Sequence, residues 1–122
     1  MGRIQSKSPP VLFSYLRIMS LPQVIEQNMQ KMLEELQHHA ISRAYLFGSA
    51  LSEKFNDASD IDILLEFNDD CDPLEKGESL GIIQEKLEDI LLRPVDVVSA
   101  SAIKNPYFLS SIKQNQLLIY GK

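Results

Sequence analysis

One cysteine, Cys71, stands in 122 residues, and tryptophan is missing altogether. A lone thiol builds neither an internal disulfide nor a cysteine-based zinc site. A reducing, cytoplasmic setting is the simplest expectation. Long apolar runs are missing too: none approaches the roughly 18–20 residues of a membrane span. Positive charge is scarce, with 12 Lys and Arg against 17 Asp and Glu, a net charge of −5. That deficit argues against direct, sequence-independent binding to nucleic acid, which requires clustered cations. It leaves room for a nucleotide, because a divalent metal can carry the countercharge. No repeat or low-complexity tract breaks the chain. A composition of 44% hydrophobic and 24% charged residues suits one domain with one core.

Residues 1–20 stand apart as an N-terminal extension. They hold Arg3, Lys7 and Arg17 and no acid. A basic start before a short apolar run shares features with a signal peptide. The run is interrupted, however, and no clear small-residue cleavage site follows. An extension preceding a domain over 21–122, with Met19 as an alternative start, is the simpler reading.

Within the domain, Ile25, Met29, Met32, Leu33 and Leu36 fall at helical spacing and predict a helix over 22–38. Ser20 with Gln23 resembles a capping box. His38 and His39 close that helix; adjacent residues do not share a helix face, so a polar helix end outweighs a metal pair. Residues 42–47 predict a strand ending at Gly48, and 49–55 a helical turn. A second strand spans 60–67, with Ile61, Ile63, Leu65 and Phe67 on the core face. Leu64 shares the opposite, half-covered face with Asp60, Asp62 and Glu66. The acidic segment after it lacks the spacing and glycine of a calcium loop and reads as solvated. Asp72-Pro73-Leu74-Glu75 is a helix start. That helix runs to about Leu92 on a stripe of Leu80, Ile83, Leu87, Ile90 and Leu91. Gly77 and Gly81 weaken its beginning or let it pack closely. Residues 95–98 predict a third strand, Asn105-Pro106 a last short helix, and 117–120 a strand or extended tail.

The chemistry concentrates in three strand-associated acids. Asp60 and Asp62 are separated by one residue, which in a strand puts both on one face with Cα atoms roughly 6.5–7 Å apart. Asp96 interrupts Val95-Asp96-Val97-Val98, where an unpaired charge is expensive to bury. If the third strand lies beside the second, the three carboxylates share one surface. They would repel one another without cations. Two metal ions about 3.5–4 Å apart would relieve the repulsion and form a phosphoryl-transfer centre. Oxygen-only donors favour Mg²⁺, with Mn²⁺ as second choice. Upstream, Gly48-Ser49 is either a tight turn with a helix cap or a phosphate cradle.

Gly48-Ser49, then Ser59 to Leu65 reading SDIDILL, then Val95-Asp96-Val97-Val98, resembles the polymerase beta-like nucleotidyltransferase superfamily. The chain's small size resembles the minimal nucleotidyltransferases (MNT), commonly paired with HEPN ribonuclease toxins. The resemblance covers about residues 22–120. It implies an α/β (α+β) fold, a mixed sheet packed by helices, with the acids at one end. It also implies that Asp60 and Asp62 bind metal holding ATP. Asp96 would bind a second metal and help deprotonate the acceptor, and Gly48 and Ser49 would contact the terminal phosphates. Family members usually continue Gly-Ser-x-Ala-Arg-Gly, whereas this chain continues Ala50-Leu51-Ser52-Glu53. The motif arginine is missing, and Lys54 is the nearest candidate substitute.

Three functions follow. The first is Mg²⁺-dependent transfer of AMP from ATP to a tyrosine hydroxyl of a cognate HEPN toxin, which makes the chain an antitoxin assembled with its partner. The second is neutralisation of that partner by contact alone. The third is nucleotidyl transfer to a small molecule, for which 122 residues leave little room for a substrate domain.

Overall fold

The computed structural model describes residues 21–122; the extension over 1–20, the alternative start at Met19 and the Ser20 cap lie outside the described residues. Helix α1 (Gln23–Gln37) opens the fold on Pro22, with no side-chain cap, and buries Ile25, Met32 and Leu36. Strand β1 (Ile41–Phe47) follows, then a single 3-10 turn over Gly48–Leu51. Strand β2 (Ile61–Phe67) leads into helix α2 (Pro73–Leu91) and strand β3 (Val95–Ser99). A second 3-10 turn (Ala100–Ala102), helix α3 (Pro106–Gln114) and strand β4 (Leu117–Tyr120) complete the chain.

The strands form one mixed sheet in the order β3-β2-β1-β4. β1 pairs antiparallel with β2 and with β4, whereas β2 and β3 run parallel. A parallel pair needs a long crossover, and α2 supplies it. Asp72 accepts a hydrogen bond from the Glu75 N–H at 2.8 Å, with Pro73 in the first turn, as that sequence predicts.

Alternation along the strands divides the core between the two faces of the sheet. Ile61, Ile63, Leu65, Ala44, Leu46, Val95 and Val97 join α1 and α2 in the main cluster. Tyr45, Phe47 and Leu64 face the other way and pack with Ile112 of α3. Leu64 is therefore fully covered, 1% exposed, rather than half covered, because α3 closes over that face. A Cβ at Gly77 or Gly81 would meet nothing within 4 Å, so these glycines serve no close packing. His39 spans the two long helices: its ring nitrogens sit 2.9 Å from Glu35 Oε2 and 3.3 Å from Ser79 Oγ. Among the described residues, no helix is long and apolar enough to cross a membrane.

Candidate active site

The parallel register of β2 and β3 sets Asp62 directly beside Asp96. Both occupy the sheet face that carries Leu64 and Val98, the face covered by α3. Asp62 is half-buried, and Asp96 is exposed because β3 is an edge strand. The expected burial cost of Asp96 is thus not what marks it; its register beside Asp62 is. Asp60 precedes β2 rather than opening it, and its side chain is exposed. Burial first, then the charges of Asp96 and of Asp60, push the Asp62 carboxyl above its usual value. Desolvation and like charge both disfavour the ionised form. The three acids therefore interact through Asp62.

Phe47 leaves β1 extended, and the backbone turns at Gly48 with φ +73. A side chain there would adopt a left-handed conformation, and its Cβ would collide with the Asp62 carboxylate. Only glycine lets the turn lie against the acid. Ser49 donates its hydroxyl proton to the Asp60 carbonyl at 3.2 Å, tying the turn to the segment before β2. That segment is held from the other side by Arg93. Its Nη1 donates to the carbonyls of Asn56 at 3.2 Å and Ser59 at 3.1 Å, and its guanidinium lies 4.8 Å from the Phe55 ring centre. Its anchoring role depends on the start of β3 lying beside that loop, which no local pattern records.

A cavity of about 700 Å³ opens over the acid pair. Gly48, Leu51 and Ser52 line it together with Asp62 and Asp96, as do Phe108, Ser111 and Ile112 of α3 and Asn115 just beyond that helix. Among the described residues, neither Ser49 nor Asp60 lines it, and no Lys or Arg does. Lys54 follows the turn, and its backbone N–H donates to Ser52 Oγ at 3.0 Å. Among the described residues, no three His, Cys, Asp or Glu side chains form a ready metal-holding group. The donor chemistry nonetheless fits a hard divalent cation. Adjacent carboxylates repel and supply only oxygen, and among the described residues no cation on the cavity wall balances them. The contribution of α3 to the cavity was absent from the sequence expectations. Its exposed aromatic one turn before a buried isoleucine was the available signal.

Residues 28–122 match the family model described as Polymerase beta, Nucleotidyltransferase. Two proteins of Methanocaldococcus jannaschii, each named "putative protein adenylyltransferase", are similar to the chain. One is 37% identical over 91 residues, covering 75% of this chain and 85% of the relative. The other is 41% identical over 75 residues, covering 62% and 71%. Among solved structures, a toxin-antitoxin with AMP-PNP aligns with a TM-score of 0.64 at 23% identity, over 78% of this chain and 74% of that one. A tri-AMPylated Shewanella oneidensis HEPN toxin in complex with MNT antitoxin aligns with a TM-score of 0.58 at 21% identity, over 80% and 72%. At these identities the structural likenesses speak for the fold. The sequence matches go further, and the chain belongs to the polymerase beta nucleotidyltransferase family.

Proposed function

We propose that this nucleotidyltransferase moves AMP from ATP to a tyrosine hydroxyl of a HEPN-type partner and so acts as its antitoxin. The observation that carries the reading is the side-by-side placement of Asp62 and Asp96 in an open cavity that the Gly48 turn also lines. The relatives named for protein adenylylation and the toxin-antitoxin likenesses support the choice of nucleotide and partner.

In the reaction, the acceptor oxygen bonds to the α-phosphorus of ATP. The bond from that phosphorus to the oxygen bridging to the β-phosphate breaks, and pyrophosphate leaves. Asp96, exposed on the edge strand β3, accepts the hydroxyl proton. An exposed base suits an acceptor that arrives on another macromolecule. The Gly48 turn presents backbone to the phosphate tail, and α3 closes one side against water. Asp60, Asp62 and Asp96 are the residues that would hold Mg²⁺ or Mn²⁺. When bound, the metal supplies charge stabilisation for phosphoryl transfer.

The test is label transfer from ATP, with Mg²⁺, to the protein encoded by the neighbouring gene, taken as the candidate partner. Wild type should label the partner, and Asp62→Ala should reduce labelling at least a hundredfold. Undiminished transfer by Asp62→Ala would sink the reading. One observation favours a second reading, neutralisation by contact alone: among the described residues, no Lys or Arg lines the cavity. In that case the Asp60→Ala, Asp62→Ala double variant still neutralises the partner.

A further inference from the structure

The wall that α3 contributes to the cavity is unlike the acid pair. Phe108, Ser111, Ile112 and Asn115 are all uncharged; the first three share one side of α3, and Asn115 follows directly on its last residue, Gln114. Ile112 is buried and fixes the helix on Tyr45, Phe47 and Leu64. Asn105 accepts from the N–H groups of Tyr107 at 2.9 Å and Phe108 at 3.2 Å, so the first turn is held in place. Phe108 nevertheless remains 49% exposed. A large aromatic ring half open to a cavity, on an anchored helix, is a preformed stacking surface.

We propose that this wall is the nucleobase subsite: Phe108 stacks on the base, and the Asn115 carboxamide reads the amino-bearing edge of adenine. The inference rests on the nucleotidyl-transfer reading and deepens it. An uncharged wall suits a base and not a phosphate. On this assignment the phosphate tail sits at Gly48, the α-phosphate over Asp62 and Asp96, and the base against α3. A volume of about 700 Å³ suits a ligand of that size. A carboxamide carries one donor and one acceptor group, which matches the donor–acceptor edge of adenine at N6 and N7. Guanine offers two acceptors at the corresponding edge, and a single carboxamide matches it less well. A stacked acceptor tyrosine is the competing occupant of Phe108.

Binding measured without an acceptor separates the two. The chain, with Mg²⁺, is titrated with non-hydrolysable ATP and GTP analogues and with inorganic tripolyphosphate. Phe108→Ala should weaken the ATP analogue about tenfold, the scale of losing one base–aromatic stack. It should leave tripolyphosphate binding unchanged, which also reports an intact fold, and Phe108→Tyr should bind as wild type does. Asn115→Leu should shrink the preference for the ATP over the GTP analogue about tenfold. An unchanged ATP affinity in Phe108→Ala, or equal losses for the ATP analogue and tripolyphosphate, would overturn the subsite and leave the transfer reading standing. A wild-type chain that binds neither ligand would overturn both.

Discussion

Gly48 is the residue on which two constraints meet. Its φ of +73 lies where an L side chain is strained, and its missing Cβ leaves the space occupied by the Asp62 carboxylate. The left-handed conformation alone costs a non-glycine residue roughly 1–2 kcal/mol. Gly48→Ala should therefore lower the unfolding free energy by about 1–2 kcal/mol, or more if Asp62 gives way. Urea denaturation reads that loss directly. Transfer should suffer more than stability, because displacing a group at the reacting centre by about 1 Å can cost a hundredfold in rate. An alanine variant with wild-type activity would mean that the turn does not position the phosphates. Ser49, next in the chain, acts differently: its hydroxyl ties backbone to backbone outside the cavity.

Among the elements, α2 carries an uncompensated defect. It ends on Leu92, which adopts φ 56, ψ 41 and donates its N–H to the Glu88 carbonyl at 2.8 Å. Helices commonly end on a left-handed residue, usually glycine. Here a leucine takes the position while 86% exposed, so it gains little burial in return. Leu92→Gly should raise stability by about 1 kcal/mol, since glycine adopts this conformation without the Cβ penalty. A higher urea midpoint with an unchanged slope would show it, and a lower midpoint would show that the leucine makes a contact worth more than its strain. The end of α2 matters for the site because β3 begins three residues later. Glu88 there accepts from the Val95 N–H at 3.0 Å, which helps place Asp96 one residue further on.

Across the whole molecule, the acid cluster is a cost to stability. Burial, Asp96 and Asp60 raise the Asp62 pKa above 3.8, so the folded chain holds that proton more tightly than the unfolded chain does. As pH rises from below 3.8 through the raised value, the fold loses stability, and at neutral pH the whole loss is present. Asp62→Asn removes it. Without divalent metal, the variant should melt higher than wild type at pH 7, and the gap should close below pH 4. Added Mg²⁺ or Mn²⁺ should raise the melting temperature of wild type more than that of the variant. Thermal melts at both pH values check this. A variant less stable than wild type at pH 7 without metal would contradict it. Such a trade is expected where function requires groups that the fold would otherwise avoid.

The sequence by itself determined the elements and the identity of the acids. Helical spacing marked the buried stripes of α1 and α2, and Asp72-Pro73 and Asn105-Pro106 marked helix starts that the structure reproduces. Those signals are local: they act within a turn or between neighbouring positions, so one stretch of chain contains them. The family was legible for the same reason, since its motif is a short pattern of residue types. Tertiary structure decided which strands became neighbours. Sheet order made β3 an edge, left Asp96 exposed rather than buried, and set it in register with Asp62. It also placed α3 across the cavity and Arg93 under the Asp60 loop. These contacts join residues far apart in sequence, and pairing and packing geometry, absent from any single segment, select them. The sequence named the acids; the sheet made Asp62 and Asp96 a pair.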